Sequence, residues 1–312
     1  MSGLGAFGVA AFGDVADVEV ALWMAGGLVA QPAVIGGALS REVDEVEPGA
    51  CLLRRNLADE ATVTASSWIP SAPPTMLQDA HTTRRWQGEG GISDYIVASW
   101  PTAETIDTVV VLRCAKMVDG EELPMTSAAT TRVRLSSADQ TGAAGDAYDT
   151  MATVGAVREE YSALVVLLET PVSAVAVRVD LSEPDADAVM AGRLIVGRRA
   201  KPAYNFAFGW AYGYADQSRK RKSAAGLTFV DREDRVRTLN LSFDWMTESD
   251  RWGIAHDIDR VCGTSRDILV ITDQASTELD RDTVWGLLDD QSPPVQPFNG
   301  VWKKSYQLTE RL

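Results

Sequence analysis

The sequence predicts a mainly β protein, an antiparallel β-sandwich followed by a smaller α+β domain carrying one packed helix. Three observations predict it. Short apolar or alternating segments separated by turn-rich loops fill the stretch after Leu52, a different, aromatic alternation begins at Asn205, and helical spacing of apolar residues is confined to the region just beyond Thr247.

The chain has 312 residues, more than one domain usually holds, so two cores are expected. A soft boundary lies at 192–203, where Gly192, Gly197 and Pro202 punctuate an Arg-rich stretch. It divides a sandwich over 51–195 from a C-terminal domain over 196–312, with 1–50 as an N-terminal segment that either stands alone or completes the C-terminal sheet.

Within the sandwich, Thr108 to Leu112 and Leu164 to Leu168 are continuous apolar runs suited to strands covered on both faces. Val133 and Leu135 alternate with Arg132 and Arg134, and Val175, Val177 and Val179 alternate with Ala174, Ala176 and Arg178. The loops between, Asp139 to Asp146 and Ser182 to Asp187, are built of turn residues.

Beyond the boundary, NFAFGWAYGYA (Asn205 to Ala215) sets Phe206, Phe208, Trp210, Tyr212 and Tyr214 at every second position, which reads as one strand with an aromatic face. Such a face fills a core or an interface, or else offers a stacking platform for sugars or bases. Leu239, Leu241, Phe243 and Trp245 make a partner strand. Thr247 with Asp250 forms a capping box, Ile254, Ala255, Ile258, Val261 and Cys262 follow at helical spacing, and Gly263 is placed to end the helix. Strands near Ile268 to Thr272, Val284 to Leu288 and Val301 to Leu308 complete the sheet.

Charge narrows the function. A formal charge of −15 disfavours nucleic acid, whose binding rests on cationic contacts to phosphate. Against that background, Arg193 to Arg237 holds eleven Lys or Arg and four acids, and it includes the run Arg219-Lys220-Arg221-Lys222. Residues 1–50 hold seven acids and one base. Opposed patches of this kind steer a subunit onto its neighbour, while the same run would also suit a solvated hairpin tip.

The apolar stretch Val18 to Leu39 follows Asp14 and Asp17, has no Lys or Arg before Arg41, and is interrupted by Gln31 and Pro32. It is read as core-forming strands or an assembly surface, not as a signal or a membrane span. Cys51, Cys114 and Cys262 are odd in number and form no CxxC, which points away from a disulfide framework or a zinc site and fits a reducing cytoplasm.

Signatures of catalysis are thin. His81 and His256 are the two histidines, and no GxSxG, P-loop or HExxH motif occurs. Glu121-Glu122, Glu159-Glu160 and Asp289-Asp290 are neighbours in sequence, which does not supply the gap across a cleft that a glycosidase needs. The expectation is a protein that is not an enzyme and has no cofactor, and no acidic loop shows calcium-ligand spacing.

The stretch Asn56 to Cys114, with NLADEATVTASSW, LQDAHTTRRWQ and YIVASWPTAETIDTVVVLRC, resembles the discoidin-type, galactose-binding-like sandwich (a jelly roll) found in phage tail proteins, and Ser136 to Thr150 is similar to the loop after its middle strand. YNFAFGWAYGYADQS, RTLNLSFDWMTESDR, VWGLLDD and WKKSYQLTERL resemble the end of siphophage-type distal tail or baseplate proteins. The resemblance implies a structural protein of the virion tail, assembled in the host bacterial cytoplasm. It would form a trimeric or hexameric ring with itself between the tail tube and the hub or baseplate, with the sandwich outward. The alternative is a free-standing carbohydrate-binding module of a cell-surface or tail-fibre protein.

Discoidin-type modules bind through loop tips, which makes Arg84, Arg85 and Trp86 the candidates for host glycan contact, unless Trp86 plugs the sandwich and Arg85 is simply surface. The candidate assembly interface is Arg219, Lys220, Arg221 and Lys222 together with Phe208, Trp210 and Tyr212.

Overall fold

The computed structural model describes residues 49–223 and 226–311. The expectations for 1–48, including Val18 to Leu39 and the completion of the C-terminal sheet, lie outside the described residues.

Antiparallel sheets dominate, as the alternations predict. A seven-stranded sheet runs along the two longest strands, Ser93–Leu112 and Leu164–Ser182, with Thr130–Ser136 on one side and both Thr62–Ala65 and Arg193–Gly197 on the other. A four-stranded sheet of Trp86–Gln87, Ala188–Ala191, Ala115–Val118 and Glu121–Pro124 faces it. The core between them takes Ile96, Ala98, Val133, Leu135, Val177 and Val179 from the larger sheet and Trp86, Val189 and Ala191 from the smaller. Alternation was legible here because only one face of each strand meets this core. The continuous run Val109-Val110-Val111 is covered on both faces: Val109 and Val111 enter the sandwich core, while Val110 joins a second cluster on the opposite side.

That second cluster joins the two halves of the molecule. Val110, Leu112, Ala163 and Ile195 of the sandwich pack with Cys51, Leu53, Leu269, Ile271 and Trp285. The expected boundary at residue 51 therefore needs correction. Cys51–Leu53 pairs antiparallel with Ile268–Ile271, so it is an edge of the C-terminal sheet, and the described residues all belong to one compact unit. The chain enters through one sheet, builds the sandwich, and returns.

The C-terminal sheet has seven strands, with Cys51–Leu53 and Ala211–Asp216 at the ends of its main path. Its helix begins where the sequence places it. Thr247 Oγ1 accepts from the Asp250 amide while the Asp250 carboxylate accepts from the Thr247 amide. Glu248–Asp250 leads through a π-helical turn, Arg251–Ala255, into His256–Val261, and Gly263 ends the helix at φ +55° with its amide donating to the Ile258 carbonyl. Ile254, Ala255, Ile258 and Cys262 bury against Leu239, Leu241, Phe243 and Leu308. Among the described residues, no helix is long and apolar enough to cross a membrane.

The aromatic run is the main correction to the expected elements. The strand covers Ala211–Asp216 only, because Gly209, at φ +92°, turns the chain before it. Asn205 to Trp210 forms a loop tied to the neighbouring strand by the Ala207 amide on the Ser242 carbonyl. Phe206 and Tyr212 pack against the core, Tyr214 is exposed, and Phe208 protrudes entirely into solvent.

Candidate functional site

The loop predicted to touch glycan is pinned by its own hydrogen bonds. Trp86 is fully buried and its Nε1 donates to the Ser67 carbonyl at 3.0 Å. It is a plug of the sandwich, and no sugar ring can stack on it, which corrects its assignment as a glycan residue. Arg85 is mostly buried, bonded to the Thr82 carbonyl and paired with Glu122. Arg84 is exposed and pairs with Asp79 at 2.9 Å. The three neighbours in sequence therefore do not converge on one ligand.

What the loop does support is a different tryptophan. The Ser67 carbonyl holds Trp86, while the Ser67 hydroxyl donates to Asp94 at 2.9 Å and accepts from the Glu89 amide at 3.0 Å. Ser66 Oγ also reaches Asp94, at 2.5 Å, and the Ile69 amide bonds the Gln87 carbonyl. Gly88 lies so close that a Cβ there would sit 2.1 Å from Asp94 Oδ2. Between these anchors Trp68 stands 47% exposed. A half-exposed indole on a backbone anchored on both sides of it is a surface on which a ring can stack with little cost in backbone entropy. Sequence reasoning passed over Trp68; the signal was SSWIPSAPP, an aromatic inside a Ser- and Pro-rich turn.

The other predicted surface belongs to the C-terminal third. Arg219–Lys222 pairs with Thr228–Asp231 as a two-stranded arm, every residue of which is exposed. Arg219 bonds Glu233 at 3.3 Å, while Lys220, Arg221 and Lys222 have no ion-pair partner among the described residues. The arm also exposes Leu227, Phe229 and Val230. Tyr212, Tyr214 and Tyr161 form a hydroxyl chain at 3.4 and 3.5 Å; Tyr212 is half-buried against the core, whereas Phe208 is exposed. Trp210 rests on Phe206 at 5.2 Å and is 41% exposed.

Among the described residues no group of three or more His, Cys, Asp or Glu is placed to hold a metal ion. His256 is exposed on the helix with its ring 5.5 Å from Trp252, and His81 faces Arg311 at 3.4 Å. No family model and no curated protein matches the sequence.

Solved structures do resemble part of the chain, among them a lectin domain, a carbohydrate-binding module and a fucosidase. The lectin domain of lectinolysin complexed with Lewis b antigen is 14% identical, covers 47% of this chain and 98% of its own, and gives a TM-score of 0.36. The family 32 module of C. perfringens NanJ, in complex with galactose, is 12% identical over 48% of this chain and 98% of its own, at 0.35. A GH29 fucosidase from Ruminococcus gnavus, in complex with fucose, is 13% identical over 47% of this chain, at 0.37; the match spans only 27% of that enzyme. Likeness at this level leaves the ligand to be argued from the residues themselves.

Proposed function

We propose that this chain is a non-catalytic glycan-binding protein, in which the sandwich meets a surface saccharide through the loop tip that carries Trp68. The observation that carries the reading is the half-exposed Trp68 on a backbone fixed by the Ser67 and Gln87 hydrogen bonds, in a sandwich whose own core aromatics, Trp86 and Trp100, are buried. A half-exposed indole flanked in sequence by the polar Ser67 suits a pyranose, which has a C–H face and hydroxyl edges. Affinity electrophoresis of the full chain through immobilised polysaccharides tests it. Retardation that Trp68→Ala removes and Arg84→Ala leaves intact supports the reading, and equal retardation of wild type and Trp68→Ala ends it.

A second reading, a structural component of a phage-like virion tail, is favoured by a separate observation. Of the sixteen exposed large hydrophobic residues among the described residues, eleven fall between Tyr204 and Phe298, and three of these sit on or beside the cationic arm. Concentrated apolar exposure of this kind marks a surface made to be covered. Self-association separates this reading from that of a monomeric binding module.

A further inference from the structure

We propose that the C-terminal sheet carries a second saccharide site, for a neutral pyranoside, in the groove beside Trp210. The inference goes beyond the sandwich reading and stands or falls separately from it. The groove is about 480 Å³, within the range of ligand sites, and has two unlike sides.

One side is aromatic. Phe208 and Trp210 line it, and the indole is not a loose surface ring. Trp210 leans on Phe206 at 5.2 Å, Phe206 on Phe243 at 6.3 Å, and Phe243 on Tyr306 at 6.0 Å, so a chain of tilted and edge-on rings runs from the core to the exposed indole. Such support fixes the ring before any ligand arrives.

The other side is polar and comes from cross-strand pairs. Asn240 lies opposite Gln307 and Ser242 opposite Ser305, and Lys303 reaches across to Asp244. The serine hydroxyls bond each other at 3.2 Å, Ser242 donates to Asp244 at 2.7 Å, and Asp244 is neutralised by Lys303 at 3.0 Å. Asn240 and Gln307 make no side-chain hydrogen bond among the described residues, which leaves two adjacent carboxamides with donors and acceptors free. A ligand stacked on the indole would present its edge to these amides.

The chemistry selects the ligand class. The Lys303–Asp244 pair cancels, and Asp290 adds a negative charge at the rim, so phosphate and carboxylate ligands are disfavoured. A planar base would satisfy the indole, but its nucleotide phosphate would meet that rim in a chain of −15. A neutral sugar fits the ring and the amides at once.

Saturation-transfer NMR on the full chain with lactose, cellobiose, maltose and chitobiose, repeated with Trp210→Ala, Asn240→Ala and Trp68→Ala, tests the site. The expected result is transfer to at least one disaccharide that weakens about tenfold in Trp210→Ala and also falls in Asn240→Ala, while Trp68→Ala keeps it. Trp210 and Asn240 are both exposed, so these variants keep the fold. Transfer abolished only by Trp68→Ala would assign all binding to the sandwich and overturn the site. So would an absence of transfer from all four sugars, or a Trp210→Ala variant altered only in its light-scattering mass, which would make the groove a contact with a second copy.

Discussion

Arg237 and Glu310 join the ends of two neighbouring strands through a buried bidentate pair. Arg237 Nε and Nη2 donate to Glu310 Oε1 at 2.9 and 2.6 Å, and the Arg237 amide donates to Oε2 at 2.9 Å. The same guanidinium reaches the carbonyls of Asp280 and Arg281 and lies 5.2 Å from the Tyr161 ring, which comes from the sandwich. One side chain therefore ties the last strand, the short helix Leu279–Asp282 and the Tyr161 loop together.

Removing either partner leaves the other charge buried without compensation. Glu310→Ala should cost ~3 kcal/mol of unfolding free energy in urea, and Arg237→Ala a similar amount. The double variant should cost less than the sum, because the two losses share one interaction. Additive losses would mean that the pair contributes nothing as a pair.

Trp86 gives the opposite of what a ligand residue would give. Its ring fills the sandwich core and its Nε1 satisfies the Ser67 carbonyl. Trp86→Ala should lower stability by ~3–5 kcal/mol, whereas Arg84→Ala, with an exposed ion pair, should change it by less than ~1 kcal/mol. Thermal unfolding followed by circular dichroism separates the two outcomes. A Trp86→Ala variant with unchanged melting would return Trp86 to the surface.

The contrast shows what sequence patterns carry and where they stop. Val133, Leu135, Val177 and Val179 were legible because alternation and one-sided burial are the same physical fact. The capping box at Thr247 and Asp250 was legible because its partners lie three residues apart. The pairing of Cys51–Leu53 with Ile268–Ile271 spans some two hundred residues and leaves no local mark. The aromatic run misled because its alternation holds through Gly209 while the backbone does not. Trp86 lies on a strand facing the core while Trp68 lies in a loop, a difference in exposure that residue type alone does not mark.

The three thiols are buried and unpaired with one another, and that has a pH consequence. Burial pushes Cys51 and Cys114 up to about 12, and Cys262 up to about 11. In the unfolded chain each ionises near the usual value of about 8.5. Above that pH the unfolded state loses protons that the folded state keeps, so stability falls as pH rises from about 8.5 toward the folded values. Each thiol contributes a slope of ~1.4 kcal/mol per pH unit in that window. Urea midpoints between pH 8 and 10 should therefore drop in wild type and drop less steeply in Cys114→Ala, once each protein is referenced to its own value at pH 8. An aromatic disulfide reagent should label none of the three until the protein unfolds, and rapid labelling of the native chain would contradict their burial.

The arm bears on whether this protein acts alone. A two-stranded ribbon is marginal in water by itself, and this one exposes every residue of both strands. Lys220, Arg221 and Lys222 stand beside Leu227, Phe229 and Val230 in a chain that is otherwise strongly acidic. A second copy would offer the complementary charge, and its apolar contact would persist when salt screens the rest, since the Debye length shrinks from ~10 Å at 0.1 M to ~3 Å at 1 M. Size exclusion with light scattering should show an oligomer at low salt. If charge dominates, high salt or reversal of Arg219 to Lys222 to Glu dissolves it. If the apolar residues dominate, the oligomer survives salt and is lost in a Leu227→Ser, Phe229→Ser double variant. A monomer at all salt concentrations would remove the support for the virion-tail reading and leave the arm as a solvated hairpin on a single-copy binding protein.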